Sequence, residues 1–211
     1  TIAMEEEAIS RSRSVSSCSM DDECDWPKTD LPLERTWVLW IMDKNHAKDS
    51  SVWKDALNEI VAASTIFEFW RALNYVKLPH HLDYGCDYYF FREGIKPVWE
   101  DPANSSGGSW SYMSKEAQEL DAVWIETLMA LAGEQFGPHR GLICGIRVQI
   151  RTNVGSQQRR DKVTLWTQNP FDTQAQEELG RQWKEIAKLD GPISYELHGD
   201  RGAADRKSLY R

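Results

Sequence analysis

The chain is poor in the signals that mark secreted scaffolds, membrane spans and common enzymes. Its four cysteines, Cys18, Cys24, Cys86 and Cys144, form no C-x-x-C pair and no framework spacing. This excludes a disulfide-stapled fold and suits a reducing compartment, the cytoplasm first and the nucleus second. No stretch approaches the ~18 uninterrupted apolar residues that a membrane helix requires. The segment Thr1 to Ser19 carries acids and serines where a secretory signal would be apolar. Also missing are a G-x-S-x-G elbow, a P-loop, a G-x-G-x-x-G after a strand, an H-E-x-x-H helix and any Cys/His ligand cluster. The histidines (His46, His80, His81, His139, His198) are scattered, and His80-His81, in a loop beside Pro79, are expected at the surface. Asn104-Ser105-Ser106 matches a glycosylation sequon that is idle without a secretory signal. No catalytic residue, metal or cofactor is expected.

The sequence has 211 residues, 41% of them hydrophobic, which suits one soluble domain able to bury roughly 70% of its unfolded surface. Its net charge of −8 is unevenly spread. Residues 1–34 hold nine acids against three bases, whereas 139–166 hold six bases (Arg140, Arg147, Arg151, Arg159, Arg160, Lys162) and one acid, Asp161. A local patch of that size can hold a few phosphates whatever the global sign, although it is too small to coat long nucleic acid. Residues 1–30 read as a disordered acidic, serine-rich tail, and a globular domain spans 31–211.

Ten tryptophans, against six Phe and seven Tyr, are several times ordinary usage. Each buried indole N–H needs a partner, so indoles are awkward core filling, and some of these rings are candidates for a binding surface. The alternative for any one of them is a place in the core.

Arg35–Ile41 reads as a strand. Ser64 or Thr65 caps a helix over 66–76 that stops before Pro79. Cys86–Phe91 and Lys96–Glu100 flank Arg-Glu-Gly and suggest a hairpin, and 104–108 (NSSGG) a flexible loop. A second helix is expected over 115–135. Gly141–Arg151 and Lys162–Gln168 suggest two antiparallel strands around a long polar loop. A third helix covers 173–189, and Ile193–Leu197 closes as a strand. Strands outnumber helices and mostly follow one another, which points to an α+β antiparallel sheet with helices on one face.

Two helices carry more apolar surface than one buried stripe needs. Leu120, Val123, Trp124, Thr127, Leu128 and Leu131 form a core face in the second helix, with Ile125 and Met129 outside it. Phe69, Ala72, Leu73 and Val76 do the same in the first, with Ile66 and Trp70 outside. The spare pairs either mark a patch for a partner helix or lie in deeper burial.

The strongest local chemistry lies in Pro97-Val98-Trp99-Glu100-Asp101, with a second indole at Trp53 in a polar stretch. A Trp beside an acid is compatible with a structural pair, a sugar platform with a catalytic carboxylate, or a purine site. In the last case the carboxylate accepts from N1–H and the exocyclic amine of guanine, a bidentate contact that adenine cannot supply. Paired indole faces favour a cationic ring, because those faces are electron-rich.

Taken together, LPLERTWVLW, SVW, TIFEFWRALN, GCDYYFFREGIKPVWED, GGSW, DAVWIETLMALAGEQF, ICGIRVQIR and DKVTLWT resemble the eukaryotic translation initiation factor 4E family, the proteins that bind the 7-methylguanosine cap of mRNA. The resemblance runs from about Leu31 to the C-terminus. It implies a single curved antiparallel sheet backed by three long helices on its convex face, with the cap slot on the concave side. It matches Trp53 and Trp99 to the rings that sandwich the base, Glu100 to the carboxylate on the guanine edge, and the Trp99 backbone N–H to O6. Trp166 matches the ring near the N7 methyl group, and Arg151 and Lys162 the phosphate-binding bases. Pro32, Ile66, Trp70, Ile125, Glu126 and Met129 match the surface that docks a Tyr-x-x-x-x-Leu-apolar helix of the scaffold factor 4G or of 4E-binding repressors. The implied protein is a monomer that is no enzyme and bridges capped mRNA to a scaffold.

The chain departs from the family pattern in two places. Ser106 and Ser109 stand where many members carry basic residues, and the segment between Arg151 and Lys162 is longer than usual. Arg159 and Arg160 in that segment, and Arg147 by strand alternation with Gln149 and Arg151, are candidates to restore the charge. Two rival readings are a cap-binding repressor paralogue and a carbohydrate-active enzyme using Glu100 and Asp101. Adjacent carboxylates on an extended segment point to opposite faces, which suits the enzyme poorly.

Overall fold

The structure is a computed structural model that describes residues 30–43, 56–153, 156 and 159–198. The N-terminal tail expected over 1–30 (Asp30 apart), Trp53, parts of the 152–161 segment and the C-terminal stretch from Arg201 lie outside the described residues. The described residues from Leu31 onward belong to one compact unit.

Among the described residues seven strands build one antiparallel sheet: β1 (Pro32–Asp43), β2 (Leu57–Thr65), β3 (Cys86–Arg92), β4 (Gly108–Met113), β5 (Ile143–Gln149), β6 (Lys162–Thr167) and β7 (Ser194–Leu197). Their spatial order is β2-β1-β3-β5-β6-β4-β7. Three helices are long: α1 (Ile66–Tyr75), α3 (Ala117–Ala132) and α4 (Thr173–Ile186); a single turn, α2 (Pro102–Ser105), precedes β4.

Period-two alternation assigns the two faces of this sheet. Trp37 and Leu39 of β1, Tyr88 and Phe90 of β3, Trp110 and Tyr112 of β4, Ile146 and Val148 of β5, and Val163 and Leu165 of β6 all enter one core. The same core takes Phe69 of α1, Leu120, Val123, Trp124, Leu128 and Leu131 of α3, and Leu179 and Trp183 of α4. The three long helices therefore share one face. The intervening residues, among them Tyr89, Phe91 and Trp166, belong to a smaller cluster on the other face.

Local chemistry sets the helix ends. The Thr65 hydroxyl caps α1 by accepting the Glu68 N–H at 3.2 Å, and the Glu68 carboxylate accepts the N–H and hydroxyl of Ser64, each at 2.8 Å. Those Ser64 bonds hold the Glu68 carboxyl below the ordinary carboxylate range. Asp172 caps α4 through the Ala175 N–H. At Gly180 an added Cβ would stand 2.7 Å from the Trp110 ring, so glycine lets α4 settle onto the sheet.

Three expectations need correction. Residues 96–100 form turns rather than a strand, because both edges of β3 are already taken, by β1 and by β5. The NSSGG stretch is no flexible loop: Asp101 caps α2, Asn104 is fully buried, and Gly108 opens β4. His80 is half-buried rather than on the surface, with its ring nitrogen on the Asp121 carboxylate of α3 and its N–H on the same group at 3.1 Å. Strands β2 and β4 were not expected from the sequence.

Some of the Trp surplus is core. Trp183 is fully buried and donates its indole N–H to the Thr127 hydroxyl at 2.9 Å, which in turn donates to the Val123 carbonyl at 2.6 Å. Replacing Thr127 by Val keeps the volume and orphans that indole. Thermal or urea denaturation of Thr127→Val should show a loss of about 1–3 kcal/mol; an unchanged midpoint would show that the bond contributes nothing.

Candidate nucleic-acid interface

On the face away from the long helices, register lines up three rows of side chains. Phe91, Gly145, Trp166, Ser109 and Glu196 stand opposite one another across β3, β5, β6, β4 and β7. Tyr89, Arg147, Thr164 and Ser111 form the second row, and Asp87, Gln149, Lys162 and Met113 the third. Gly145 is needed in the first row, since a Cβ there would sit 2.5 Å from the Phe91 ring. The space it leaves lets Phe91 meet Trp166 edge-on at 5.4 Å.

Above these rows lies a cavity of about 340 Å³, whose walls include Trp99, Arg147, Lys162, Trp166, Glu196 and His198. Trp99 is 44% exposed, while Trp166 is 8% exposed with its indole N–H on the Thr164 hydroxyl at 3.3 Å. One indole is thus presented and the other forms part of the wall.

The Trp99 turn is held from below. The side-chain amide of buried Asn104 donates to the carbonyls of Lys96 at 2.8 Å and Val98 at 2.9 Å. Asp101 accepts from the N–H of Lys96 at 3.0 Å and of Ala103 at 2.9 Å. The backbone carbonyl of Asn104 also meets Nδ1 of His198 at 3.0 Å, which makes that nitrogen the donor. Burial pushes the His198 pKa down, so the ring is neutral at pH 7. Its Nε2 has no hydrogen-bond partner among the described residues, and its ring lies 4.2 Å from that of Trp166. Glu100 follows Trp99 in the same turn, half-buried, and lies outside the lining of the 340 Å³ cavity.

Charge on this face is organised by Asp87, whose side chain is fully buried. Its carboxylate contacts Arg147 at 2.5 Å and Arg151 at 2.6 Å and 3.0 Å. Burial works against the Arg147 charge, but Tyr89 and Asp87 more than offset it and the net shift is upward. The guanidinium also lies 5.1 Å from the centre of the Tyr89 ring, and its Nε has no hydrogen-bond partner among the described residues. Asp161, fully buried too, accepts the N–H groups of Arg151 at 2.7 Å and Thr152 at 2.9 Å and pairs with Arg159 at 2.5 Å.

The structure therefore brings together Trp99, Trp166, Arg147 and Lys162, and places Arg151 beside them through Asp87. Arg159 is engaged by Asp161; the Arg160 side chain is exposed, while its N–H is on the Thr152 hydroxyl at 2.8 Å. Sequence reasoning missed Asp87, Asn104 and His198. Asp87 was legible as an acid facing outward from a run of aromatics, but Asn104 and His198 become meaningful only once the fold joins them.

The docking set lies elsewhere. Ile66 and Trp70 are 41% and 45% exposed, Pro32 is exposed, and Ile125, Glu126 and Met129 are half-buried on α3. Pro32 reaches the start of α1 because the Ile66 N–H donates to the Leu31 carbonyl at 2.9 Å.

A one-sheet α+β domain with a presented indole and paired guanidinium groups on the face away from its long helices suits a non-covalent binder of an aromatic, anionic ligand. The family model described as eukaryotic initiation factor 4E matches residues 32–210, and the chain belongs to that family. Isoform 4E of translation initiation factor from Arachis hypogaea is 38% identical over 178 residues, 84% of each chain. Ascaris suum eIF4E-3 solved with an m2,2,7G cap superposes with a TM-score of 0.76 at 35% identity, covering 85% of this chain and 97% of that one. C. elegans eIF4E-3 in complex with the 4E-binding protein Mextli and a cap analog gives 0.72 at 34% identity, over 80% and 93%.

Asn104 holds the Trp99 turn through its side-chain amide and meets His198 through its backbone carbonyl, so truncating the side chain should loosen the turn and leave the His198 bond in place. Asn104→Ala should lower stability by about 1–3 kcal/mol and raise the fluorescence anisotropy decay rate of the Trp99 region, read in a variant carrying a single exposed indole. Unchanged stability and unchanged decay would show that the turn is held by other contacts.

Proposed function

We propose that this chain binds the 7-methylguanosine cap of mRNA and recruits a scaffold factor of the 4G type to start translation. The observation that carries the reading is Trp99, an indole left 44% exposed at the wall of a cavity that also holds Arg147 and Lys162. Methylation at N7 makes guanine cationic, which strengthens stacking on indole faces. It also makes N1–H more acidic and hence a better donor to Glu100. Base stacking contributes about 1–3 kcal/mol per base and hydrogen bonds to a charged acceptor roughly 1.5–3 kcal/mol. Added to phosphate contacts from Arg147, Arg151 and Lys162, these give affinity near the micromolar range or better. Trp53 is the partner ring and Trp166 the methyl-side contact in this reading. Pro32, Ile66, Trp70, Ile125, Glu126 and Met129 take the Tyr-x-x-x-x-Leu-apolar helix of the scaffold or of a 4E-binding repressor.

The chain acts by binding, in the cytoplasm, without a cofactor and as a monomer. The carbohydrate-enzyme alternative loses its second carboxylate, since Asp101 is occupied by two backbone N–H groups. Cys86 and Cys144 are no nucleophiles either, because burial raises both thiols to about 11.

Quenching of tryptophan fluorescence should show GTP binding roughly tenfold or more weakly than 7-methyl-GTP; equal quenching would falsify cation stacking. Glu100→Ala should keep the fold by circular dichroism and lose retention on immobilised 7-methyl-GTP. Retention by that variant would remove Glu100 from the site.

A further inference from the structure

The cavity beside Trp99 is polarised. Its bases, Arg147 and Lys162, stand in the second and third rows of side chains, whereas the first row ends in an acid, Glu196 of β7, opposite Ser109 of β4. Trp166 of the first row and Lys162 of the third lie four residues apart on β6, about 13 Å along the strand. The two signs of charge therefore occupy different ends of one cavity.

The acidic end is unpaired. The Glu196 carboxylate is half-buried and makes no ion pair or hydrogen bond among the described residues. Ser109, between Glu196 and Trp166 in the row, has a small side chain, so both residues line the same space. The neutral His198 ring lies 4.2 Å from that of Trp166, and its buried Nε2 has no hydrogen-bond partner among the described residues. A carboxylate and a bare ring nitrogen thus stand at the Trp166 end. An acid there opposes phosphate binding and adds nothing to the fold through pairing. A ligand that is anionic throughout has no use for it. One that is positive at its base and negative at its tail meets the opposite sign at each end.

We infer that Glu196 determines specificity for the charge of the bound base: its carboxylate stands on the N7 side, away from the edge that Glu100 takes, and attracts the positive ring that methylation creates. The inference rests on the cap reading above and adds to it a residue that senses the charge of the base rather than its shape. Two strand spacings, roughly 10 Å, separate the backbones of Glu196 and Trp166. The attraction therefore acts across the cavity without a hydrogen bond, and salt weakens it.

The test uses the full chain, Glu196→Gln and three nucleotides: 7-methyl-GTP, GTP, and 7-deaza-7-methyl-GTP, which keeps the methyl group and ring shape but carries no ring charge. Fluorescence quenching at low salt should show Glu196→Gln lowering the preference for 7-methyl-GTP over its neutral isostere about three- to tenfold. Affinity for the isostere and for GTP should hold or rise, since the variant removes a negative charge from a cavity that takes phosphates. Added salt should shrink the difference between the two proteins. Glu196→Asp, which keeps the charge on a shorter stem, should retain most of the preference. An unchanged preference in Glu196→Gln overturns the inference. So does an equal loss for all three nucleotides, or a loss in Glu196→Asp as large as in Glu196→Gln, because either would make Glu196 a matter of shape. If the unsubstituted chain binds 7-methyl-GTP no better than GTP, the cap reading itself fails, and the inference falls with it.

Discussion

A buried carboxylate facing two guanidinium groups governs the side of this sheet away from the long helices. Asp87 would be costly alone in the interior, and it is tolerable because Arg147 and Arg151 both reach it. Arg147, Arg151 and Lys162, the last in the same row as Asp87, outnumber Asp87 and Glu196 and leave this part of the face with a small positive excess. An acidic protein thereby keeps a local field suited to phosphates, despite a net charge of −8. The pairing also fixes where that charge sits, since a guanidinium held against a buried partner loses little further freedom when a ligand arrives.

Asn104 plays the corresponding part for the aromatic side of the site. One residue supplies two N–H bonds to the Trp99 turn and a carbonyl to His198. The presented ring and the wall behind Trp166 are thus tied to one buried residue, the first through its side chain and the second through its backbone. In the proposed reading, preorganisation of this kind is what lets a small contact area discriminate a single methyl group, because less ordering remains to offset the stacking gained.

Much of this is legible in the residues. Long periodic segments announce α1, α3 and α4, and the two-residue spacing of Arg147 and Gln149 is enough to put both on one face of a strand. Other parts are hidden for physical reasons. Strand β2 is an edge strand paired with β1, and Ala63 is its one buried residue, so it carries almost no alternation signal. Strand β4 begins in glycines that read locally as a loop, although Trp110 and Tyr112 alternate with Ser109 and Ser111. A hairpin over 96–100 is locally sound and fails because strands distant in sequence occupy both sides of β3. Asn104 reads as part of a polar loop, and only tertiary packing turns it into an anchor. Family resemblance supplies roles for residues whose local pattern alone leaves several chemistries open.

The sheet also separates two tasks: the cavity opens on one face, while the long helices, with their exposed edges for a partner, lie on the other. In the proposed reading a flat cationic base sits at the Trp99 end and a phosphate chain runs toward Arg147 and Lys162. The most direct measurement is an affinity ladder of 7-methylguanosine and its mono-, di- and triphosphate, at two salt concentrations. Affinity should tighten with each added phosphate, with a salt dependence that steepens along the series. Equal affinity for the nucleoside and the triphosphate, indifferent to salt, would contradict that reading.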